Sequence, residues 1–456
     1  MNVDQLNTHV PLSELMLALT TALDMTEGQP PEHCIRSCWI GMHIGQHLGL
    51  KPEQLHDLFF TLLLKDAGCS SNAARICELY LTNDLTFKRE FKTVGTSLAS
   101  VINFVVKNAG KGQSWVTRIS TTIDILKNGD AYAQELIQTR CSRGADVARE
   151  LGFSEDVAQG INSLDEHWNG SGRPNQLKHN AIPLYSRIAL LAQVVDVFQH
   201  EHSLEEAITE VVSRSGGWFD PQLVDAFQVM VKNRSFRSGL LSADVRQRVM
   251  EFAPANTKIM IDDDYFDRII TAFGRIVDSK SPYTAGHSER VSVYAELIAE
   301  NLGFQLEERK WVKRAALLHD LGKLGVSNAI LDKPGKLDAD EWQAVQAHAE
   351  FTETILSEIT PFKPLAKIAA AHHEKLDGTG YPRGIRGDEI SMITRIITTA
   401  DIFDAISAER PYRSAMSVAK TLEIMAENLH TAIDPRCFDA LKQAIEKLPR
   451  EWLKQE

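Results

Sequence analysis

The sequence is poor in cysteine and has no long apolar run. Its six cysteines form no Cys-x-x-Cys pair, so buried packing residues in a reducing compartment are the simplest interpretation of them. The opening residues, MNVDQLNTHVPLSELM, lack the basic and apolar regions of a signal peptide. No stretch of about 18 consecutive apolar residues occurs, so no membrane span is predicted. We therefore expect a cytoplasmic protein with no membrane partner.

Positive charge is also in short supply. The formal net charge is -12 over 456 residues, which argues against the broad basic surface that duplex nucleic acid or an anionic membrane requires. A small anionic substrate is still allowed, because a metal ion or a local cationic pocket can reverse the sign of the potential. The apolar content of 43% and the charged content of 24% are those of an ordinary globular protein.

Strand-rich blocks are absent, and nearly every long segment has the periodicity of a helix. In RVSVYAELIAENLGF (290–304) the apolar residues recur at spacings of three and four, and Gly303 stands where a helix would end. TRIITTADIFDAI (394–406) is rich in β-branched residues, yet its apolar spacing favours a helix. The sequence therefore predicts an all-α protein. We place a linker at 249–262, between domains 1–248 and 263–456, because 251–266 carries a Pro, an Asn and an acidic run before a helix.

An internal repeat supports the two halves. HCIRS (33–37) resembles HSERV (287–291), and LLLKDAGCS (62–70) resembles ALLHDLGKL (316–324), both 254 residues apart. DEHWNGSGRP (165–174) resembles HEKLDGTGYP (373–382), and SRIALLAQVVD (186–196) resembles TRIITTADIFD (394–404), both 208 residues apart. The change of offset implies that about 46 extra residues lie inside the first copy.

The second half concentrates residues that bind metals. His and carboxylate ligands together suit Fe, Mn, Ni, Co or Zn. An Asp carboxylate has two oxygens and can bridge two cations, so seven ligands with one bridging Asp would fill two sites and leave positions for water. The seven are His287, His319, Asp320, His348, His372, His373 and Asp401.

The first half keeps the apolar framework but loses most of these residues. Only His33 and Asp66 match, and alone they could hold a metal at most weakly. The fold therefore does not require the imidazoles, and their joint presence in the other copy indicates a function. The replacements are Lys65 for His319, Arg140 for His348, Leu164 for His372, Asp165 for His373 and Gln193 for Asp401.

Residues 263–456 resemble the HD-GYP family, a branch of the HD phosphohydrolases. HDLGKLGV (319–326) matches the His-Asp signature, and HHEKLDGTGYP (372–382) matches the Gly-Tyr-Pro signature. The resemblance implies a helical bundle with a bi- or trinuclear metal centre that hydrolyses cyclic dinucleotides. The first half resembles a degenerate HD domain, so we expect two tandem HD-type bundles with a regulatory, ligand-sensing or interface role for the first.

The resemblance also assigns roles to residues. It implies one metal held by His287, His319, Asp320 and Asp401, and a second held by Asp320, His348, His372 and His373. Lys323 matches a lysine that contacts the scissile phosphate, so Lys323 and Asp320 are the candidate catalytic residues. Family members with a third metal have a Glu at the position of Tyr283, so we expect two divalent transition metal ions.

Candidate substrate-binding residues flank these motifs. Tyr381 belongs to the stiff loop after the histidine pair, where it either lines the substrate pocket or only anchors the loop. The basic residues nearby either attract an anionic dinucleotide or form a solvated face. Arg410 and Arg413 are the strongest of these, and Lys333, Lys336, Arg383 and Arg386 are the others.

The expected function is a metal-dependent phosphodiesterase. The substrate would be a 3′,5′-linked cyclic dinucleotide, opened to a linear 5′-phosphorylated dinucleotide. The tandem arrangement is similar to that of the Vibrio phosphodiesterases specific for 3′,3′-cyclic GMP-AMP, which favours that substrate over cyclic di-GMP. The alternatives are another HD-type nucleotide phosphohydrolase and a non-catalytic cyclic-dinucleotide sensor or scaffold. A homodimer or a signalling protein as partner is left open.

Overall fold

The regular secondary structure of the chain is helical. The computed structural model describes residues 10–95, 97–254, 261–408 and 414–448. Within these ranges the elements are α-helices and short 3-10 turns, and β-pairing is limited to two isolated bridges. The predicted all-α class is therefore confirmed. None of the described helices combines the length and the apolar character needed to cross a bilayer.

The described residues divide into two compact units, one formed by 11–261 and the other by 262–448 together with Val10. The first unit contains, in chain order, α1 (Leu12–Thr26), α2 (His33–His47), α3 (Pro52–Leu64), α4 (Ala73–Tyr80), α5 (Asp84–Phe91), α6 (Leu98–Asn108), α7 (Trp115–Glu150), α8 (Glu155–Asn162), α9 (Leu184–Glu201), α10 (Leu204–Ser213), α11 (Pro221–Met230), α12 (Arg234–Leu240) and α13 (Val245–Phe252). Helix α13 extends into the segment 249–262 for which the sequence suggested a linker.

The second unit carries the predicted metal ligands. Its helices are α14 (Asp263–Asp278), α15 (His287–Asn301), α16 (Leu306–Leu318), α17 (Asn328–Leu331), α18 (Ala339–Glu358), α19 (Lys363–Ala370), α20 (Met392–Ser407), α21 (Val418–Ala426) and α22 (Pro435–Ile445). A 3-10 turn, Leu321–Gly325, follows α16.

Capping side chains fix where these helices begin. The Asp262 carboxylate accepts a hydrogen bond from the backbone N–H of Tyr265. Acidic residues in the first turn of α14 stabilise the helix, because the N-terminal end of the helix dipole is positive. The Ser391 hydroxyl caps α20 in the same way, so the segment 394–406 is helical as its apolar spacing predicts. Gly303 follows the C-terminus of α15 with a φ of +83°.

The core of the second unit holds the ligand-bearing helix ends together. Helix α15 packs against α16, α20 and α22, and α18 packs against α19 and the turn Leu321–Gly325. Buried aromatic rings join these layers, with Phe266 stacked on Phe362 and Tyr294 edge-on to Phe403. This packing brings the helices and the turn that carry the predicted metal ligands next to one another.

The internal repeat is visible in the helices. Helices α2, α3, α8 and α9 begin at the positions that correspond to α15, α16, α19 and α20. Helix α7 has 36 residues where α18 has 20, and α4, α5 and α6 precede it. The extra residues predicted inside the first copy therefore lie in this interval, where the first copy has α4, α5, α6 and a longer α7 and the second has only the short α17 among the described residues.

Gly322 allows the turn after α16 to lie against α18. A Cβ atom at this position would be 2.0 Å from the His348 carbonyl oxygen and 2.7 Å from the Thr352 nitrogen. Gly68, at the corresponding position of the first copy, would meet the Arg140 carbonyl oxygen at 1.9 Å. Glycine is thus required in both units, and in the second unit it brings His348 up to the His-Asp motif.

We predict that Gly322→Ala destabilises the protein by about 1–3 kcal/mol, because the added methyl group pushes α18 away from the turn. Denaturant unfolding followed by circular dichroism measures the change. Gly335→Ala is the matched control, since a Cβ atom at Gly335 meets nothing within 4 Å. Equal stability of the two variants would contradict the close packing described here.

Candidate metal centre

Seven polar side chains from separate helices meet in the second unit. His287 begins α15, His319 directly follows α16, and His348 lies in α18. The remaining members are Asp320 before the 3-10 turn, His372 and His373 after α19, and Asp401 in α20. The structure therefore brings together all seven residues that the sequence singled out.

Asp320 lies between two groups of histidines. Its Oδ2 atom is 3.5 Å from His287 Nε2 and 3.3 Å from His319 Nε2. Its Oδ1 atom is 3.5 Å from the Nε2 atoms of both His348 and His372. Each carboxylate oxygen thus has its own pair of imidazoles, which is the arrangement that a bridging ligand needs.

The donor atoms fall into two compact groups. Those of Asp320, His348, His372 and His373 lie within 4.8 Å of one another, and so do those of a second group, His287, His319 and Asp401. Asp401 Oδ1 is 3.4 Å from His287 Nε2 and 3.8 Å from His319 Nε2. Ligand bonds of about 2.0–2.2 Å to one ion would place donor atoms at separations of this order.

Hydrogen bonds fix which nitrogen of each ring faces the cluster. The Nδ1–H groups of His319, His348 and His372 donate to the carbonyl oxygens of Ala316, Val345 and Ala369 at 2.7, 2.5 and 2.8 Å. A carbonyl oxygen only accepts, so Nδ1 carries a proton and Nε2 faces the cluster. This orientation is the one found for histidine ligands of metals.

His287 is oriented by a carboxylate that the sequence analysis did not select. Its Nδ1 atom lies 2.7 Å from Asp404 Oδ2, and the Arg290 guanidinium bonds to the same carboxylate at 2.6 and 3.0 Å. A carboxylate behind a histidine raises the basicity of the ring as a metal ligand. The repeat contained the signal, because Asp196 and Arg36 stand at the corresponding positions of the first copy.

Several inward-facing atoms of this cluster are buried without a hydrogen-bond partner. Among the described residues these include Nε2 of His287, Nε2 of His319 and Oδ1 of Asp320. Buried polar atoms normally have a hydrogen-bond partner. A group of buried polar atoms that lack one and face the same point is typical of a metal site. The donor types, the tautomers and the unpaired atoms therefore all fit divalent transition metal ions.

Burial and the two carboxylates set the protonation of the cluster. Burial lowers the pKa of His348 to about 3, which keeps this imidazole neutral and available as a ligand. At His319, burial is outweighed by the charges of Asp320 and Asp401, which raise its pKa to about 9. A metal ion must therefore displace a proton from this side of the cluster.

Lys323 lies at the edge of the cluster. Its ammonium group donates to Asp320 Oδ2, and its side chain is 22% exposed. The lysine is thus close to both candidate metal groups and still accessible to a substrate.

The predicted substrate-binding residues differ in position. The Tyr381 ring stacks on His373 with centroids 4.7 Å apart, and Trp342, which the sequence analysis did not select, lies edge-on to it at 6.1 Å. Lys333 is paired with Glu341 through a contact of 2.7 Å, and Arg383 is paired with Glu353. Tyr381 is therefore beside the cluster, whereas the two cations are engaged in ion pairs.

Of the remaining basic candidates, the structure describes Lys336 and Arg386. Arg386 donates its backbone N–H to the Glu389 carboxylate, and Lys336 is exposed. Arg410 and Arg413 lie outside the described residues.

In the first unit Lys65 stands at the position that corresponds to His319. The Lys65 ammonium group is 2.9 Å from His33 Nε2 and donates to Asp66, and Lys65 is only 1% exposed. His33 is bonded through Nδ1 to Asp196 at 2.7 Å, and Arg36 pairs with the same carboxylate. A side-chain cation thus sits between the histidine and the aspartate that correspond to His287 and Asp320.

A second group of possible ligands in the first unit is also already paired with cations. Glu27, Asp66 and Cys69 lie close enough together to hold an ion. However, Lys92 Nζ is 2.7 Å from Glu27, and Asp66 is bonded to Lys65. Since Glu27 and Asp66 are neutralised by buried ammonium groups, this group has no charge left for a metal to balance.

Comparison with known proteins places this geometry in a family. The family profile described as HD domain matches residues 123–223 and 272–437, which lie in both units. The 3′3′-cGAMP-specific phosphodiesterase 3 of Vibrio cholerae serotype O1 is 72% identical over 442 residues, covering 97% of this chain and 96% of that protein. The chain belongs to the HD domain family, and its resemblance to the HD-GYP branch is confirmed.

Two further matches cover different lengths of this chain. The cyclic di-GMP phosphodiesterase response regulator RpfG of Xanthomonas campestris pv. campestris is 34% identical over 203 residues, covering 44% of this chain and 54% of that protein. The crystal structure of a cyclic GMP-AMP specific phosphodiesterase of Vibrio cholerae has 65% identity and a TM-score of 0.67, covering 97% of this chain and 99% of that one.

We predict that Asp404→Asn weakens metal binding about 10- to 100-fold, because the His287 ring loses the carboxylate that orients it. Competition with a coloured chelator measures the affinity. Asp439→Asn, which removes an exposed acid paired with Lys442, is the control. Unchanged affinity in the Asp404 variant would show that the carboxylate is dispensable.

We also predict that Lys65→Met destabilises the first unit by roughly 3–5 kcal/mol, because the buried Asp66 carboxylate is left without a counter-charge. The double variant Lys65→Met/Asp66→Asn should recover most of this loss, since no buried charge remains. Denaturant unfolding of both variants tests the idea. A single variant as stable as the original chain would refute it.

Proposed function

We propose that the second unit hydrolyses a 3′,5′-linked cyclic dinucleotide, with 3′,3′-cyclic GMP-AMP as the first candidate and cyclic di-GMP as the second. The observation that carries this proposal is the position of Asp320, whose two oxygens face two separate pairs of imidazoles. Such a ligand can hold two cations a few Å apart, which is a recurring solution for phosphoester hydrolysis.

The donor groups support two divalent transition metal ions. His287, His319, Asp320 and Asp401 would hold one ion, and Asp320, His348, His372 and His373 would hold the other. When bound, the ions would neutralise the phosphate and lower the pKa of a water molecule. Fe, Mn, Ni, Co and Zn all suit this ligand set.

The reaction replaces one phosphorus–oxygen bond with another. Water attacks one phosphorus, the bond to the 3′ oxygen breaks, and the proton passes to that leaving oxygen, giving a linear dinucleotide with a 5′-phosphate. The Lys323 ammonium group, which lies at Asp320 and is partly exposed, is placed to stabilise charge on the phosphoryl group or on the leaving oxygen.

Aromatic side chains give the substrate a wall beside the cluster. Tyr381 lies against His373, and Trp342 is 48% exposed next to Tyr381. A nucleobase could contact these rings while its phosphate faces the metals. Lys333 and Arg383 would have to exchange their acidic partners for the substrate, and Arg410 and Arg413 are proposed on the sequence alone.

The relatives support 3′,3′-cyclic GMP-AMP over cyclic di-GMP. The relative named for 3′3′-cGAMP aligns across both units, whereas the response regulator named for cyclic di-GMP aligns with only 44% of this chain. In the first unit lysine side chains neutralise the buried carboxylates, and we propose that this unit is a regulatory module without hydrolytic activity.

We predict that Asp320→Asn lowers turnover of 3′,3′-cyclic GMP-AMP more than about a hundredfold and removes at least one metal, because the bridging charge serves both groups. Product analysis by chromatography, with Mn or Fe(II) added, and metal quantification measure the two effects. The same assay with cyclic di-GMP and with linear nucleotides separates the proposed substrate from other HD-type chemistry.

Asp340→Asn is the control, because this acid is exposed in the first turn of α18. Full turnover by the Asp320 variant would end the dinuclear proposal. A purified chain that holds metals, binds the dinucleotides and cleaves neither would instead indicate a sensor.

A further inference from the structure

The first unit contains a cavity at the position that corresponds to the metal centre. Its volume is about 370 Å³, within the usual range of ligand pockets. Five of its lining residues stand at the positions of Lys323, His348, His373, Tyr381 and Asp401 in the other copy, and these five are Cys69, Arg140, Asp165, Arg173 and Gln193. The first copy thus lacks most of the metal ligands but has a pocket at their positions.

Positive charge exceeds negative charge along this lining. Four cations, Lys88, Lys92, Arg140 and Arg173, and two carboxylates, Glu27 and Asp165, line the cavity. Lys92 is paired with Glu27 and Arg140 with Asp165. The cavity can therefore accept an anion without leaving a net negative charge buried.

Arg173 is the most adaptable of these cations. Its acidic partner, Asp130, has a side chain that is 93% exposed, so their ion pair is screened by solvent. Exchanging this partner for the anionic group of a ligand would cost little, and the guanidinium group can bind a carboxylate with two parallel hydrogen bonds.

Most of the remaining cavity wall is apolar, and its polar side chains include Asn72, His167, Ser171 and Gln193. Helices α4 and α5, which precede α7 in the first copy, contribute Ile76, Tyr80 and Phe87. Helix α7 contributes Leu136, and α9 contributes Val194. These five side chains offer a ligand no hydrogen bond apart from the Tyr80 hydroxyl, so they form a surface against which hydrocarbon can pack.

The aromatic rings of the wall are already in contact with one another. Trp218 has His167 stacked on it at 4.1 Å and the Arg214 guanidinium carbon at 4.1 Å from its ring centre. Tyr80 and Phe87 pack together at 4.2 Å. A purine would need a free ring face to stack on, whereas an aliphatic chain does not.

We infer that the first unit binds an amphipathic anion, a carboxylate on an aliphatic chain such as a medium-chain fatty acid. The carboxylate lies at Arg173 and Arg140, and the chain lies along the apolar wall built by α4, α5, α7 and α9. This site is separate from the proposed hydrolytic centre, and its occupancy does not depend on metal or turnover.

Calorimetric titration of the full chain with dodecanoate tests this assignment, and one molecule should bind per chain. Ala133→Phe should weaken binding about tenfold or more, because Ala133 lines the cavity on α7 and the larger ring fills it. Ala131→Phe is the matched control, since Ala131 is exposed on the same helix and is not part of the lining.

Arg173→Gln provides a second test that leaves the apolar wall intact. It should weaken dodecanoate binding about tenfold, while dodecanol should bind the original chain and this variant equally. No binding of dodecanoate to the original chain, or equal binding to the Ala133 and Ala131 variants, would overturn the inference. Binding of a cyclic dinucleotide that Ala133→Phe abolishes would also overturn it.

Discussion

A buried aspartate that requires a cation organises both halves of this protein. Asp66 and Asp320 each follow the second helix of a repeated core, and each faces the Nε2 atom of a histidine braced by a second carboxylate. A buried carboxylate without a counter-charge is strongly destabilising. The first unit meets this requirement with the Lys65 ammonium group, and the second surrounds Asp320 with imidazoles that fit metal ions and with the partly exposed Lys323.

This single difference separates the proposed roles of the two units. A lysine neutralises the buried carboxylate with a fixed charge, so the first unit can be stable without a metal. A lysine also has no open coordination position, so it cannot supply the chemistry of a metal ion. Imidazoles leave the charge to be brought by exchangeable ions, which can also bind a phosphate and water. The two units therefore share a framework and differ in what neutralises their buried carboxylates.

The cavity of the first unit lies beside the positions that correspond to the candidate metal ligands. Helices α4 and α5 line it with Ile76, Tyr80 and Phe87, and the cations Arg140 and Arg173 line it as well. The pocket therefore offers a ligand both hydrocarbon and positive charge.

The sequence by itself determined the all-α class, the repeat and the seven candidate ligands, because apolar spacing and motif offsets are local properties of the chain. Tertiary structure decided what those offsets could not show: that the oxygens of Asp320 face different imidazole pairs, that Asp404 orients His287, and that Lys333 and Arg383 are engaged in ion pairs. The cavity of the first unit was also decided by tertiary structure. Its walls come from α4, α5, α7 and α9, and only the packing of these helices brings side chains so distant in sequence around one space.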